Sequence, residues 1–193
     1  MLLRHVLTPP PADLPRVVRA DLVGGETAFD ALRAAGHLVT LAPGAAVLPG
    51  TAVTPGDRLT ALAARIPPRT VVGRLSAVWV LTGEGDPTTL TVLYSPRTHR
   101  PGHRADLSSH QATLRDDDVE GLGPLRVTGP LRTAFDLARH VPRATALPAL
   151  ARLVADARLD PALLVARLRT HAPGPLAAEA LDVAVELRAR LGT

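Results

Sequence analysis

The chain has 193 residues, 46% of them apolar and 2% aromatic, with a net charge of +4 and no cysteine. It is long enough for one large or two small domains around an aliphatic core. Disulfides, thiol catalysis and cysteine-based zinc sites are excluded. Met1 to Leu7 is interrupted by Arg4 and His5 and stopped by Pro9, Pro10 and Pro11, so neither a signal peptide nor a membrane span is expected. The expected location is the cytoplasm.

All 22 basic residues are arginine, whose planar fork suits phosphate. Residues 1–83 hold eight arginines against five acids, residues 84–145 eight against eight, and residues 146–193 six against five. The cationic excess is therefore N-terminal, where nucleic-acid contact would gain from it.

Three regions follow in chain order. In the first, Pro15 to Asp21 leads to Gly24-Gly25, and Glu26 to Ala35 reads as a helix with Phe29, Leu32 and Ala35 facing inward. Glu26 suits the positive end of the helix and Gly36 is a stop. His37 to Leu41 and Ala45 to Leu48 read as strands around a Pro43-Gly44 turn. Helix, stop and hairpin is the layout of a winged helix-turn-helix. In such a unit Arg16, Arg19, Thr27, Arg33, His37 and Thr40 are the expected DNA-contacting residues.

In the second region, a helix is expected near Arg58 to Arg65, ended by Pro67-Pro68. Val71 to Leu81 is an apolar run interrupted by Arg74 and Ser76. Thr82 to Pro87 is a loop, and Thr88 to Tyr94 alternates as a strand. Further strands are expected at Arg104 to His110 and Arg126 to Thr128, and a helix at Leu131 to Arg139. The third region is helical. Leu147, Leu150 and Val154 share a face, Asp160-Pro161 opens another helix, and Pro173-Gly174-Pro175 precedes a last one. That helix carries Leu176, Ala180, Val183, Leu187 and Leu191 on one face and a Glu186–Arg190 pair.

Four segments together resemble the AbiEi-like antitoxins of type IV toxin–antitoxin systems. Phe29 to Val39 is similar to the second half of their winged helix, and Gly44 to Gly50 to the strand closing the wing. Val72 to Gly83, with Ser76-Ala77-Val78-Trp79, is similar to a later helix of the family, and Val127 to Ala138, with Arg132-Thr133 and Asp136-Leu137, to a further segment. The resemblance covers roughly residues 15–190 and does not include the C-terminal endonuclease-like domain that some relatives carry. It implies autorepression through double-stranded DNA at the chain's own promoter, and neutralisation of a nucleotidyltransferase-like toxin. It also implies an α+β chain: a winged helix-turn-helix over 1–54, then a mixed α/β domain with a helical C-terminus over 55–193. Two departures stand out. Thr40 to Ala45 has none of the arginines usual in the wing, and Pro9-Pro10-Pro11 cuts short the motif's first helix, which the resemblance places at residues 1–14. Glu26 and Asp30 on the recognition helix would repel phosphate. The alternative is a protein-interaction module that has lost DNA binding and only neutralises or scaffolds a partner.

No catalytic constellation is expected. His99, His103 and His110 do not converge on helical spacing, because Pro101-Gly102 intervenes. Ser108-Ser109-His110 lacks the glycine-flanked nucleophile turn, and no phosphate-cradling glycine loop with lysine is present. Arg132 and Asp136 read as a structural ion pair, and Asp116-Asp117-Asp118 with Glu120 as a solvated turn. The expected partner-binding residues are Arg97, Arg100 and Arg104 in one loop and Asp116, Asp117 and Asp118 in another. No metal or cofactor is expected.

Overall fold

The computed structural model describes residues 15–170 and 175–191, and the expected first helix at residues 1–14 and the break at Pro173-Gly174 lie outside them. The protein is α+β and divides into two compact units, with the boundary between Val53 and Thr54.

Among the described residues, unit 1 holds a three-stranded antiparallel sheet and one α-helix. Strand β1 (Val18–Arg19) leads through a 3-10 turn at Ala20–Leu22 into α1 (Glu26–Ala34), followed by β2 (Val39–Ala42) and β3 (Ala45–Val47). The strand order is β1-β3-β2, with Val18 opposite Ala46 and Val39 opposite Val47. Helix α1 ends where the sequence provides a stop. Gly36 takes φ +74°, and the N–H groups of Gly36 and His37 return to the carbonyls of Arg33 and Leu32 at 3.0 and 2.9 Å, satisfying the last turn. Phe29 is buried among Val18, Ala20, Leu38 and Ala46, with Leu32 against them. Ala35 was expected to face inward; it is exposed, because it is the cap residue rather than part of the helical stripe.

Unit 2 opens with α2 (Pro55–Ala61), started by a capping box in which Thr54 Oγ1 accepts from Asp57 N–H and Asp57 Oδ2 accepts from Thr54 N–H. A 3-10 turn at Ala63–Arg65 follows. A five-stranded mixed sheet contains β4 (Thr70–Val72), β5 (Leu90–Tyr94), β6 (Leu107–Gln111), β7 (Val119–Leu122) and β8 (Leu125–Thr128), in the order β6-β5-β4-β8-β7. The β4–β8 and β5–β6 pairs are parallel; β4–β5 and β7–β8 are antiparallel.

The apolar run Val71 to Leu81 is two elements. Strand β4 stops at Val72, and α3 (Arg74–Thr82) begins directly after Gly73. A Cβ on Gly73 would lie 2.7 Å from Leu93 Cγ on β5, so glycine lets the chain turn hard against the sheet. Helices α4 (Pro130–His140), α5 (Arg143–Ala157), α6 (Pro161–Thr170) and α7 (Pro175–Leu191) complete the unit. Their aliphatic faces converge on one core, in which Leu137, Leu150, Leu153 and Leu164 are fully buried. Glu186 accepts from Arg190 at 2.5 Å and also from Arg143 of α5, so the pair ties α7 to its neighbour. Among the described residues, no helix is long and apolar enough to cross a membrane.

Candidate functional site

In unit 1, α1 runs into the β2–β3 hairpin with its polar side open. Thr27, Asp30, Arg33, His37 and Thr40 are exposed together over this helix and the strand after it. Arg33 joins the two elements: its Nε donates to Thr40 Oγ1 at 3.0 Å and its Nη1 to Asp30 Oδ1 at 2.9 Å. Its guanidinium also lies 5.9 Å from the Phe29 ring centre. Arg19 on β1 is bonded to Asp21 through Nε and Nη2 at 3.1 and 2.8 Å. That hydrogen bond holds the Asp21 carboxyl below its usual range and raises Arg19. Arg16 donates to the Ala52 carbonyl at 2.8 Å. Residues 15–53 contain three arginines and three acids, so the N-terminal excess of charge is absent from the described part of this unit.

In unit 2 the two loops expected to bind a partner meet only in part. Arg97 and Asp116 line one groove of about 740 Å³. The same groove is lined by Arg69, Arg115 and Arg126, which sequence reasoning did not single out. They lie far apart in the chain, and only the pairing of β4 with β8 and β5 brings them together. Arg115 is paired with Asp117 at 3.2 Å, whereas the guanidiniums of Arg69, Arg97 and Arg126 make no ion pair among the described residues. Arg100 and Arg104 lie outside this groove. Arg104 is held by Asp106 at 2.7 Å and by the Arg65 carbonyl at 2.9 Å, and Arg100 bonds Ser109 at 3.2 Å. Asp106 is pulled down far below the carboxylate range, by Arg104 first and also by Arg65.

Asp118 is a correction. It was expected in a solvated loop, yet it is 1% exposed. Arg132 Nη1 donates to its Oδ2 at 3.1 Å, Arg167 Nη2 donates to Oδ1, and the Arg115 N–H donates to Oδ2 at 3.0 Å. Burial alone would raise its carboxyl; the Arg115 N–H and the two guanidiniums outweigh that and hold it low. Arg132 also donates to Asp136 at 3.0 Å. This is structural anchoring of α4 and α6 to the turn before β7, not a surface. Asp116 and Asp117 remain exposed.

On β6, Ser108 Oγ lies 2.9 Å from His110 Nε2. No carboxylate is hydrogen-bonded to that ring among the described residues, so the third group of a hydrolytic triad is missing there. No group of three or more histidine and acid side chains able to hold a metal occurs among the described residues.

No family model and no curated protein matches the chain. Among solved structures it is similar to the RV2827C protein from Mycobacterium tuberculosis, at 21% identity over 92% of this chain and 76% of that one, with a TM-score of 0.43.

Proposed function

We propose that the chain is the cytoplasmic antitoxin of a type IV-like toxin–antitoxin pair and a DNA-binding repressor of its own promoter. In this reading unit 1 is a winged helix-turn-helix and unit 2 neutralises a nucleotidyltransferase-like toxin. One observation carries it: α1 leads straight into a hairpin whose sheet order is β1-β3-β2, and Arg33 bonds the helix to β2 on the open side. A recognition helix braced by a flanking hairpin needs that connection. The sequence resemblance supplies the toxin, and the arginine-lined groove of unit 2 supplies a surface complementary to an acidic patch on it. The test is a gel shift with the DNA upstream of the coding sequence. Preferential retention over random DNA, weakening steeply with salt, is expected; equal retention of both overturns the repressor reading.

A second reading, a protein-interaction module that has lost DNA binding, is favoured by a different observation. Arg19 and Arg33 already pair with Asp21 and Asp30, which leaves less charge for phosphate. Co-expression with the neighbouring gene product separates the two. Protection from toxicity without promoter retention supports this second reading.

A further inference from the structure

The face of α4 that carries Arg132 and Asp136 continues into Arg139 and His140, and together with Arg74 at the start of α3 it walls a cleft of about 270 Å³. Leu93 and Gln111 supply its sheet side. The arginines of this cleft are not all served alike. Arg132 has Asp136 and Asp118. Elsewhere in the unit, partly buried Arg58 donates to the Val80 carbonyl at 2.7 Å and Arg65 to Asp106 at 3.1 Å. Arg74 and Arg139 have no acceptor among the described residues: Nε of Arg74 and Nη1 of Arg139 are buried without a hydrogen-bond partner. Burying a guanidinium N–H without an acceptor is unfavourable, and two such groups lining one cleft is a repeated cost at one place.

The charge balance points the same way. Three guanidiniums line the cleft against one carboxylate, Asp136, which is already bonded to Arg132. Including Arg167 and Asp118 behind it, four guanidiniums meet two carboxylates. The Phe135 ring is packed by the guanidiniums of Arg139, Arg167 and Arg132 at 5.2, 5.4 and 5.8 Å, which relieves part of the repulsion but adds no negative charge. Arg74 is also held at φ +51°, in the left-handed region, as the first residue of α3. Backbone strain of that kind persists where the surroundings fix it, often at a ligand site.

We propose that this cleft binds a phosphoryl group, either as inorganic phosphate or as the phosphate of a small monoester. Arg74 and Arg139 would clasp it from two elements, and its double charge would match the surplus of two guanidiniums. A monoanionic carboxylate would offset only half of that surplus. His140 lines the cleft, and His110 lies near enough to feel Arg74 and His140. Burial, together with Arg74, holds both imidazoles below their ordinary range, so at neutral pH they are uncharged reporters of an arriving dianion.

The test is a titration of the full chain, following the imidazole NMR signals of His110 and His140. The ligands are inorganic phosphate, a nucleoside 5′-monophosphate and acetate at matched ionic strength. Saturable shifts of both histidines with phosphate are expected, with little response to acetate. Arg74→Gln and Arg139→Gln should each weaken binding by about tenfold or more, whereas Arg169→Gln, exposed on α6, should not. Tighter binding of the monophosphate assigns the cleft to esters; equal binding assigns it to phosphate itself. If either glutamine variant does not fold, mass-spectrometric mapping of an arginine-selective dicarbonyl reagent on the native chain replaces it. Phosphate should then protect Arg74 and Arg139 but not Arg169. Absence of any saturable histidine shift, an equal response to acetate, or failure of phosphate to protect those arginines overturns the proposal.

Discussion

Asp118 and Arg132 face each other at 3.1 Å, both buried, with Arg167 on the other oxygen of the same carboxylate. Removing the carboxylate charge would leave half-buried Arg167 without its acid and buried Arg132 with Asp136 alone. Breaking one partner of such a pair costs about 3–5 kcal/mol. Asp118→Ala should therefore lower the urea midpoint of unit 2 sharply, while Asp116→Ala, exposed nearby, should change stability by less than about 0.5 kcal/mol. Equal effects would mean that Asp118 is not the anchor of this network. The network's own titration lies at low pH. Asp118 is held below its unfolded value, so its contribution is full above that value, near 4, and is lost as pH falls through the lowered one.

A separate pH effect is expected at higher pH. His110 and His140 are both depressed, by burial first and then by Arg74, with Arg100, Arg132 and Arg139 adding to it and Asp136 opposing. The unfolded chain binds more protons on these side chains than the folded one. Stability from them is fully present above the unfolded value of about 6.5 and is lost as pH falls through the lower folded values. Thermal melts between pH 7.5 and pH 5 should show Tm falling, before the carboxylates begin to titrate. A double His110→Asn, His140→Asn variant should show a flatter profile; an unchanged slope would place the titrating groups elsewhere.

Local signals in the sequence were enough for most elements, because each had its own punctuation. Gly36 ended α1, Pro43-Gly44 made the hairpin, and Asp160-Pro161 opened α6. The residue pattern of Val71 to Leu81 did not show where strand gives way to helix; only the family resemblance implied a helix, over Val72 to Gly83. At the break, Leu93 excludes a side chain at Gly73, and that contact is tertiary. The same holds for the candidate sites. Arg97 was visible as part of a basic loop, but its neighbours Arg69, in the turn before β4, and Arg126, on β8, come from elsewhere in the chain, and only sheet order puts them beside it. Asp118 looked like its two neighbours in sequence; its burial is set by Arg132 and Arg167, which lie on helices much later in the chain.

Gly73 makes that tertiary constraint testable. Its backbone is extended, with φ −141°, so alanine brings no backbone strain and the nearest obstacle is the Leu93 side chain. Gly73→Ala should destabilise by about 1–3 kcal/mol, as overpacking does. In the Leu93→Ala background the same change should cost much less, giving a coupling visible in a double-mutant cycle by urea denaturation. Additive costs would show that Leu93 is not the obstacle.

Asp30 offers a sharper test of the DNA reading than any arginine alone. It holds Arg33 at 2.9 Å and adds a negative charge to the exposed side of α1. If that side meets phosphate, Asp30→Asn should release Arg33, remove a repulsion and tighten promoter binding. Arg33→Ala should weaken it by roughly 1–3 kcal/mol if the guanidinium reaches a base edge. Gel shifts of both variants at two salt concentrations check this. Opposite directions support contact through α1; no change in either moves the interface off this helix.

The groove of unit 2 separates Arg97 from Arg100 and Arg104, which the sequence placed in one loop. Arg69, Arg97 and Arg126 line it without ion pairs among the described residues, while Arg100 and Arg104 lie outside it, bonded to Ser109 and Asp106. Exposed, unpaired charges on a rigid sheet steer an oppositely charged partner mainly through the rate of association. Charges already held by internal acceptors contribute less, because the partner must compete with those acceptors. If the proposed toxin docks in this groove, reversal of Arg69, Arg97 and Arg126 to Glu should slow its association, reduce protection from its toxicity on co-expression, and flatten the salt dependence of the on-rate. Reversal of Arg100 and Arg104 should instead lower stability, since a carboxylate at position 104 would repel Asp106, with a smaller effect on association once the folded fraction is taken into account. Surface-binding kinetics at several salt concentrations, read beside thermal melts of each variant, distinguish the two. If the Arg100/Arg104 reversal slows association more than the groove reversal does, at equal folded fraction, the partner docks on the β5–β6 loop and not in the groove.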